Sequence, residues 1–130
     1  MKGIEQLIGR MFLGHIFLLA GISKLGAGFA STQGYMESMG VPGMLLPAVI
    51  AFEIAAGLAI IGGLFTRYTA WALAAFSVTA GVIFHFNPAD QMQTILLMKN
   101  IALAGGLVIL AAAGAGQLSL DYQLQSRGAL

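Results

Sequence analysis

From Met44 to Phe65 the chain is apolar except for one carboxylate, Glu53. About 20 such residues cross the hydrocarbon core of a bilayer as a helix. In lipid every backbone group needs a partner within the fold, so only helices and closed barrels can span. No alternating ten-residue pattern of a barrel strand occurs in this chain. The segment is therefore constrained to be a transmembrane helix with a carboxylate near its middle. A charge there costs at least ~2.5 kcal/mol unless it is paired or protonated. Glu53 is thus a functional-site candidate, and the plainer alternative is a structural ion pair that fixes helix packing.

Three more apolar segments accompany it, giving spans at about 4–25, 44–65, 68–86 and 94–115. The expected fold is all-α: an integral membrane four-helix bundle, antiparallel and up-down, forming one domain over 1–130. A short polar tail follows from 116 to 130. Composition agrees: 58% of residues are hydrophobic and 8% charged, against about 25% charged in soluble domains. So few polar side chains could not cover a water-facing surface. The net charge of +1 and six scattered Lys and Arg leave no basic field for nucleic acid. Cysteine is absent, which excludes disulfides, CxxC redox chemistry, covalent haem attachment and thiolate metal sites. Arg10 interrupts the first apolar stretch, which reads as a retained helix rather than a cleaved leader.

The connections predict the topology. The Thr66-Arg67 link is short enough to force helices two and three into an antiparallel hairpin. Asn87-Pro-Ala-Asp-Gln91 is a turn. The first loop, Gly26 to Gly43, contains a candidate interfacial helix at Thr32–Met39, with Tyr35, Met36 and Met39 on one side. In the tail, Leu118, Leu120 and Leu124 are candidates to dock on the bundle. With four spans, Lys2, Arg10, Arg67 and Arg127 share one side, while Lys24 and Lys99 lie toward the other. The positive-inside rule then places both termini in the cytoplasm. Tyr68 and Trp71, beside Arg67, suit an interfacial anchor. Ala51, Ala55, Ala59 and Gly63 recur every four residues and mark a seam for another helix, in this chain or a second copy; Ala102 and Gly106 do the same in the fourth span. Glu53-Ile-Ala-Ala and Asn100-Ile-Ala-Leu hint at duplicated helical hairpins.

At about 1.5 Å rise per residue, Glu53 lies roughly 13 Å and Lys99 roughly 7 Å below the outer surface. A lysine stem reaches inward, so Lys99 is the expected partner of Glu53. Lys24 and His85 close helices one and three on the same side. The candidate pocket is therefore Lys24, Glu53, His85, Lys99 and Asn100. Such a set suits a quinone carbonyl, a proton path or a small anion, and histidine is the residue type that titrates near neutral pH. Each member also has a plainer role: Lys24 snorkelling to headgroups, His85 sitting at the interface, Lys99 in a structural salt bridge. One histidine and one carboxylate are too few ligands for a metal.

These residues carry a resemblance. Gly9-Arg10-Met-Phe-Leu-Gly14-His and Ala20-Gly-Ile-Ser-Lys24-Leu are followed by Glu53, Gly57, Gly62-Gly63 and Thr66-Arg67. Phe84-His85, Met98-Lys99-Asn100-Ile-Ala-Leu and Gly105-Gly106 complete the series. In that order the chain resembles the DoxX family of small bacterial inner-membrane proteins, from about Gly9 to Leu120. The resemblance implies a four-helix membrane bundle in the inner membrane. It also implies a link to redox metabolism, because the family name comes from a subunit of a thiosulfate:quinone oxidoreductase and relatives are tied to thiol and oxidative stress. It makes Lys24, Glu53, His85, Lys99 and Asn100 the family-like polar positions. The expected function is a membrane subunit or scaffold, not an enzyme on its own, with quinone as candidate cofactor. Its candidate partners are the lipid bilayer, a membrane oxidoreductase and a second copy of itself. The alternatives are a proton-coupled carrier of a small solute and a purely structural partner of another membrane protein.

Overall fold

Six helices follow one another in the structure, a computed structural model that describes residues 3–130. They are α1 (Ile4–Ser23), α2 (Ala27–Ser38), α3 (Leu46–Gly62, entered through a 3-10 turn at Gly43–Leu45), α4 (Thr66–His85), α5 (Gln91–Ala113) and α6 (Leu120–Ser126). Four stretches are long and apolar enough to cross a membrane: α1, Gly43–Gly62, α4 and α5. The fold is an all-α membrane bundle with no strand among the described residues. Lys2, one of the topology charges, lies outside the described residues.

Span ends shift by a few residues from those expected, for local reasons. Gly63 adopts the left-handed conformation (φ 70°) and ends α3, a geometry glycine takes without strain. The Asp90 side chain accepts from Gln93 N and starts α5 at Gln91 rather than Thr94. The turn between α3 and α4 is consequently Gly63-Leu64-Phe65, just ahead of the Thr66-Arg67 pair.

The bundle is built from two tight antiparallel pairs, α1 with α3 and α4 with α5; packing between the pairs is sparser. Glycine explains the first pair. A Cβ on Gly57 would lie 2.7 Å from Leu18 N, and one on Gly14 would lie 2.9 Å from Gly57 O. The seam therefore runs through Gly14, Gly21 and Gly57. The expected seam of Ala51, Ala55, Ala59 and Gly63 does not form it: Ala51 and Ala55 are exposed. Small residues cover more than one face of α3, and only the partner helix selects which is used. Gly106 does receive a neighbour, with Leu13 of α1 lying 3.2 Å from where its Cβ would be, whereas Ala102 is exposed.

The two pairs are built alike. A Cβ on Gly21 would lie 3.1 Å from Glu53 Cβ, and a Cβ on Gly81 would lie 3.1 Å from Asn100 Cβ. The Glu53-Ile-Ala-Ala and Asn100-Ile-Ala-Leu pieces thus occupy matching places opposite a glycine. Between the pairs, larger side chains fill the seam. Phe17, Ile60, Leu73 and Leu107 belong to one buried cluster, and the Phe52 and Phe76 rings stand 5.2 Å apart.

Two short helices close the ends. At the end away from the termini, α2 lies across the bundle and is longer than the expected Thr32–Met39. Met36 is buried with Leu46 and Ile50, and Tyr35 Oη donates to Phe84 O at 3.0 Å. Of the three residues expected on one side, only Met36 is buried; Tyr35 and Met39 are both exposed. At the terminal end, α6 folds back and Asp121 fastens it. The Asp121 carboxylate accepts from Phe65 N at 2.6 Å and Thr66 N at 2.9 Å, and its own N–H donates to Gly63 O at 2.8 Å. Polar bonds fix the tail, Leu120 lies beside Gly62 of α3 and Leu124 is half-buried, while Leu118 stays exposed.

Candidate functional site

The looser packing between the pairs leaves a cavity of about 380 Å³ at the end away from the termini. Lys24, Glu53, His85, Lys99 and Asn100 all line it. The remaining wall is mostly apolar, with Phe76, Ile83, Phe84 and Leu103 among its residues, and α2 contributes Tyr35 and Met36. Small-molecule sites have this character: a largely apolar cleft of ≈ 300–1,000 Å³ with a few placed polar groups.

The expected Lys99–Glu53 pair is not formed. Lys24 Nζ donates to Glu53 Oε2 at 3.0 Å and also to Ala20 O at 3.1 Å. The reason is helix pairing. Gly21 brings α1 against Glu53, and Lys24, nearly one turn later on α1, then overhangs the carboxylate. Lys99 rides on α5, whose close partner is α4. Glu53 is almost fully buried while Lys24 keeps about a quarter of its side chain exposed, so the lysine is not merely snorkelling. Lys99 has no hydrogen-bond or ion-pair partner among the described residues.

The other members are held by their own hairpin. Asn100 Nδ2 donates to Ser77 O at 3.0 Å, across the α4–α5 contact. His85 Nδ1 donates to Gln93 Oε1 at 2.8 Å, which leaves Nε2 as the ring nitrogen free for a ligand. His85 is therefore tied into the α4–α5 hairpin rather than set loose at the interface. Beside them Ser77 is 2% exposed and its hydroxyl has no partner among the described residues. Nothing in the sequence singled out Ser77, because a lone serine in an apolar helix carries no spacing signal. No cluster of three metal-ligating side chains exists among the described residues.

A second polar centre lies at the terminal end, and sequence reasoning found only part of it. Arg10 is completely buried. Its Nη1 donates to Ile61 O at 2.9 Å and its Nη2 to Leu118 O. Arg10 thus bonds the last turn of α3 and the tail. The carbonyls at a helix C-terminus lack intrahelical partners and carry partial negative charge; the guanidinium answers both. Asp121 does the converse at the start of α4. Its role was not visible because its partners are 55 and 56 residues away.

The DoxX family model matches residues 6–86. This chain belongs to the DoxX family. The match spans Lys24, Glu53 and His85 and ends before α5, so Lys99 and Asn100 lie beyond it. The chain is 41% identical over 130 residues to inner membrane protein YqjF of Escherichia coli (strain K12), covering 98% of this chain and 99% of that one. It is 35% identical over 127 residues to inner membrane protein YphA of the same organism, covering 92% and 90% respectively. No solved structure matches it significantly.

Proposed function

We propose that this DoxX protein is a bacterial inner-membrane subunit that holds a lipophilic, carbonyl-bearing molecule of the quinone class for a membrane redox partner. The observation that carries this reading is the 380 Å³ cavity, whose apolar walls converge on Lys24, Glu53, His85, Lys99 and Asn100. Phe76, Phe84 and Leu103 supply apolar surface suited to a ring. Lysine Nζ and the Asn100 amide are donor types that a quinone carbonyl accepts from. The inner-membrane relatives support the location, and the redox assignment follows from the family resemblance. Both termini face the cytoplasm in this reading, because Arg67 and Arg127 lie at the terminal end and Lys24 and Lys99 toward the other.

The test is calorimetric titration of the purified protein in nanodiscs with a short-chain alkyl-1,4-naphthoquinone. Calorimetry suits the question because Trp71 lies in the second turn of α4, toward the end opposite the cavity. Saturable binding that is lost in Ala80→Trp, which fills the cavity, is the expected result. Absent binding, or binding indifferent to Ala80→Trp, overturns the proposal.

A further inference from the structure

The charges lining the cavity do not balance, and the excess identifies the kind of head group that completes them. Lys24 and Glu53 neutralise one another at 3.0 Å. Asn100 is engaged by Ser77 O, and the Nδ1 of His85 by Gln93. Lys99 alone among the charged residues of the wall has no partner among the described residues, and Glu53 is the only acidic residue lining the cavity. Lys24 (+1), Glu53 (−1) and Lys99 (+1) leave a formal balance of +1 among the lysines and carboxylate of the wall. Two other carboxylates lie toward this end. Asp90 caps α5, and Glu37 stands exposed on α2; neither lines the cavity.

Lys99 lines the cavity from within a membrane span. Lys99 is exposed and sits eight residues into α5, about 12 Å along the axis from Gln91. A lone cation at that depth is unfavourable in hydrocarbon. Lysine is a compact point charge that meets a single anionic oxygen group well. The unpartnered, 2% exposed Ser77 hydroxyl lies in the same wall as a further donor.

We infer that the cavity takes a monoanionic amphiphile, its acidic head against Lys99 and its apolar body between the two helix pairs. The inference rests on reading the cavity as a ligand site and specifies the charge of what fills it. A lipophilic acid and an anionic phospholipid share this chemistry.

A matched pair of ligands tests it: an alkyl-1,4-naphthoquinone and its 2-hydroxy derivative, which is an anion at neutral pH. Both are titrated into the full chain in nanodiscs of zwitterionic lipid. The expected result is at least tenfold tighter binding of the anion. Lys99→Gln removes that preference, and Lys99→Arg retains it. Equal affinity for the two ligands, or a preference that survives Lys99→Gln, overturns the inference and leaves the quinone-class reading standing. Failure of both ligands to bind overturns the two together. Adding phosphatidylglycerol to the nanodiscs separates the sources. Competition with the anion identifies a lipid phosphate as the natural head, and its absence identifies a free lipophilic acid.

Discussion

Glu53 and Lys24 show what a buried charge does in a membrane helix. Neither group is tolerable alone in hydrocarbon, so each makes the other possible. Such a pair need not add net stability, but breaking it by removing one partner leaves an uncompensated charge, at about 3–5 kcal/mol where the site is buried. Lys24→Met is therefore expected to lower the unfolding free energy by about that much, read by chemical denaturation in detergent. Lys24→Met combined with Glu53→Leu is expected to recover most of the loss. A double variant no more stable than Lys24→Met alone would show that the carboxylate is not the group left stranded. Lys99 is the contrasting case. It lacks a partner among the described residues, so Lys99→Gln strands no opposite charge and is expected not to lower stability, in contrast to Lys24→Met.

At the scale of elements, close approach is governed by missing side chains. Gly57 sits where a Cβ would press on Leu18 N at 2.7 Å. Gly57→Ala must push α1 from α3 and is expected to destabilise by about 1–3 kcal/mol, the usual range for overpacking. Gly105 has nothing within 4 Å of its would-be Cβ, and Gly105→Ala is the control expected to be neutral or slightly stabilising. Thermal melts of the two variants in the same detergent compare them directly. The C-terminal helix gives a second case. Asp121 supplies the cap that α4 lacks locally, since Phe65 makes no side-chain cap bond. Asp121→Ala is expected to cost about 1 kcal/mol, as capping losses do. It also frees α6, which limited proteolysis would detect as early cleavage within 117–130.

For the molecule as a whole, the sparse contact between two tight pairs is the property that matters. It places the cavity where packing is loosest, between two units that each hold their own polar residues. A ligand bridging them adds contacts that neither pair makes alone. Ligand at 100 times its Kd is expected to raise the unfolding free energy by about 2.7 kcal/mol, seen as a concentration-dependent rise in Tm. Ala80→Trp should abolish that rise without lowering Tm in the absence of ligand.

The sequence by itself determined the solvent, the number of spans and the identity of the polar residues. Apolar runs of bilayer length admit no other secondary structure, and a charge within one is too unfavourable to be accidental. It also placed Lys24, Glu53, His85, Lys99 and Asn100 at one end, because their positions along each helix follow from the rise per residue. The tertiary structure alone decided who meets whom. Depth says nothing about rotation or about which helices are neighbours, so the partner of Glu53 was misassigned to Lys99 until the Gly14–Gly21–Gly57 seam set α1 against α3. The same limit hid Asp121 and the true partners of Arg10, whose bonds join segments 51 to 108 residues apart. Small-residue stripes were legible as seams but not as the particular seam used, since α3 carries small residues on several faces and only the opposing helix distinguishes them.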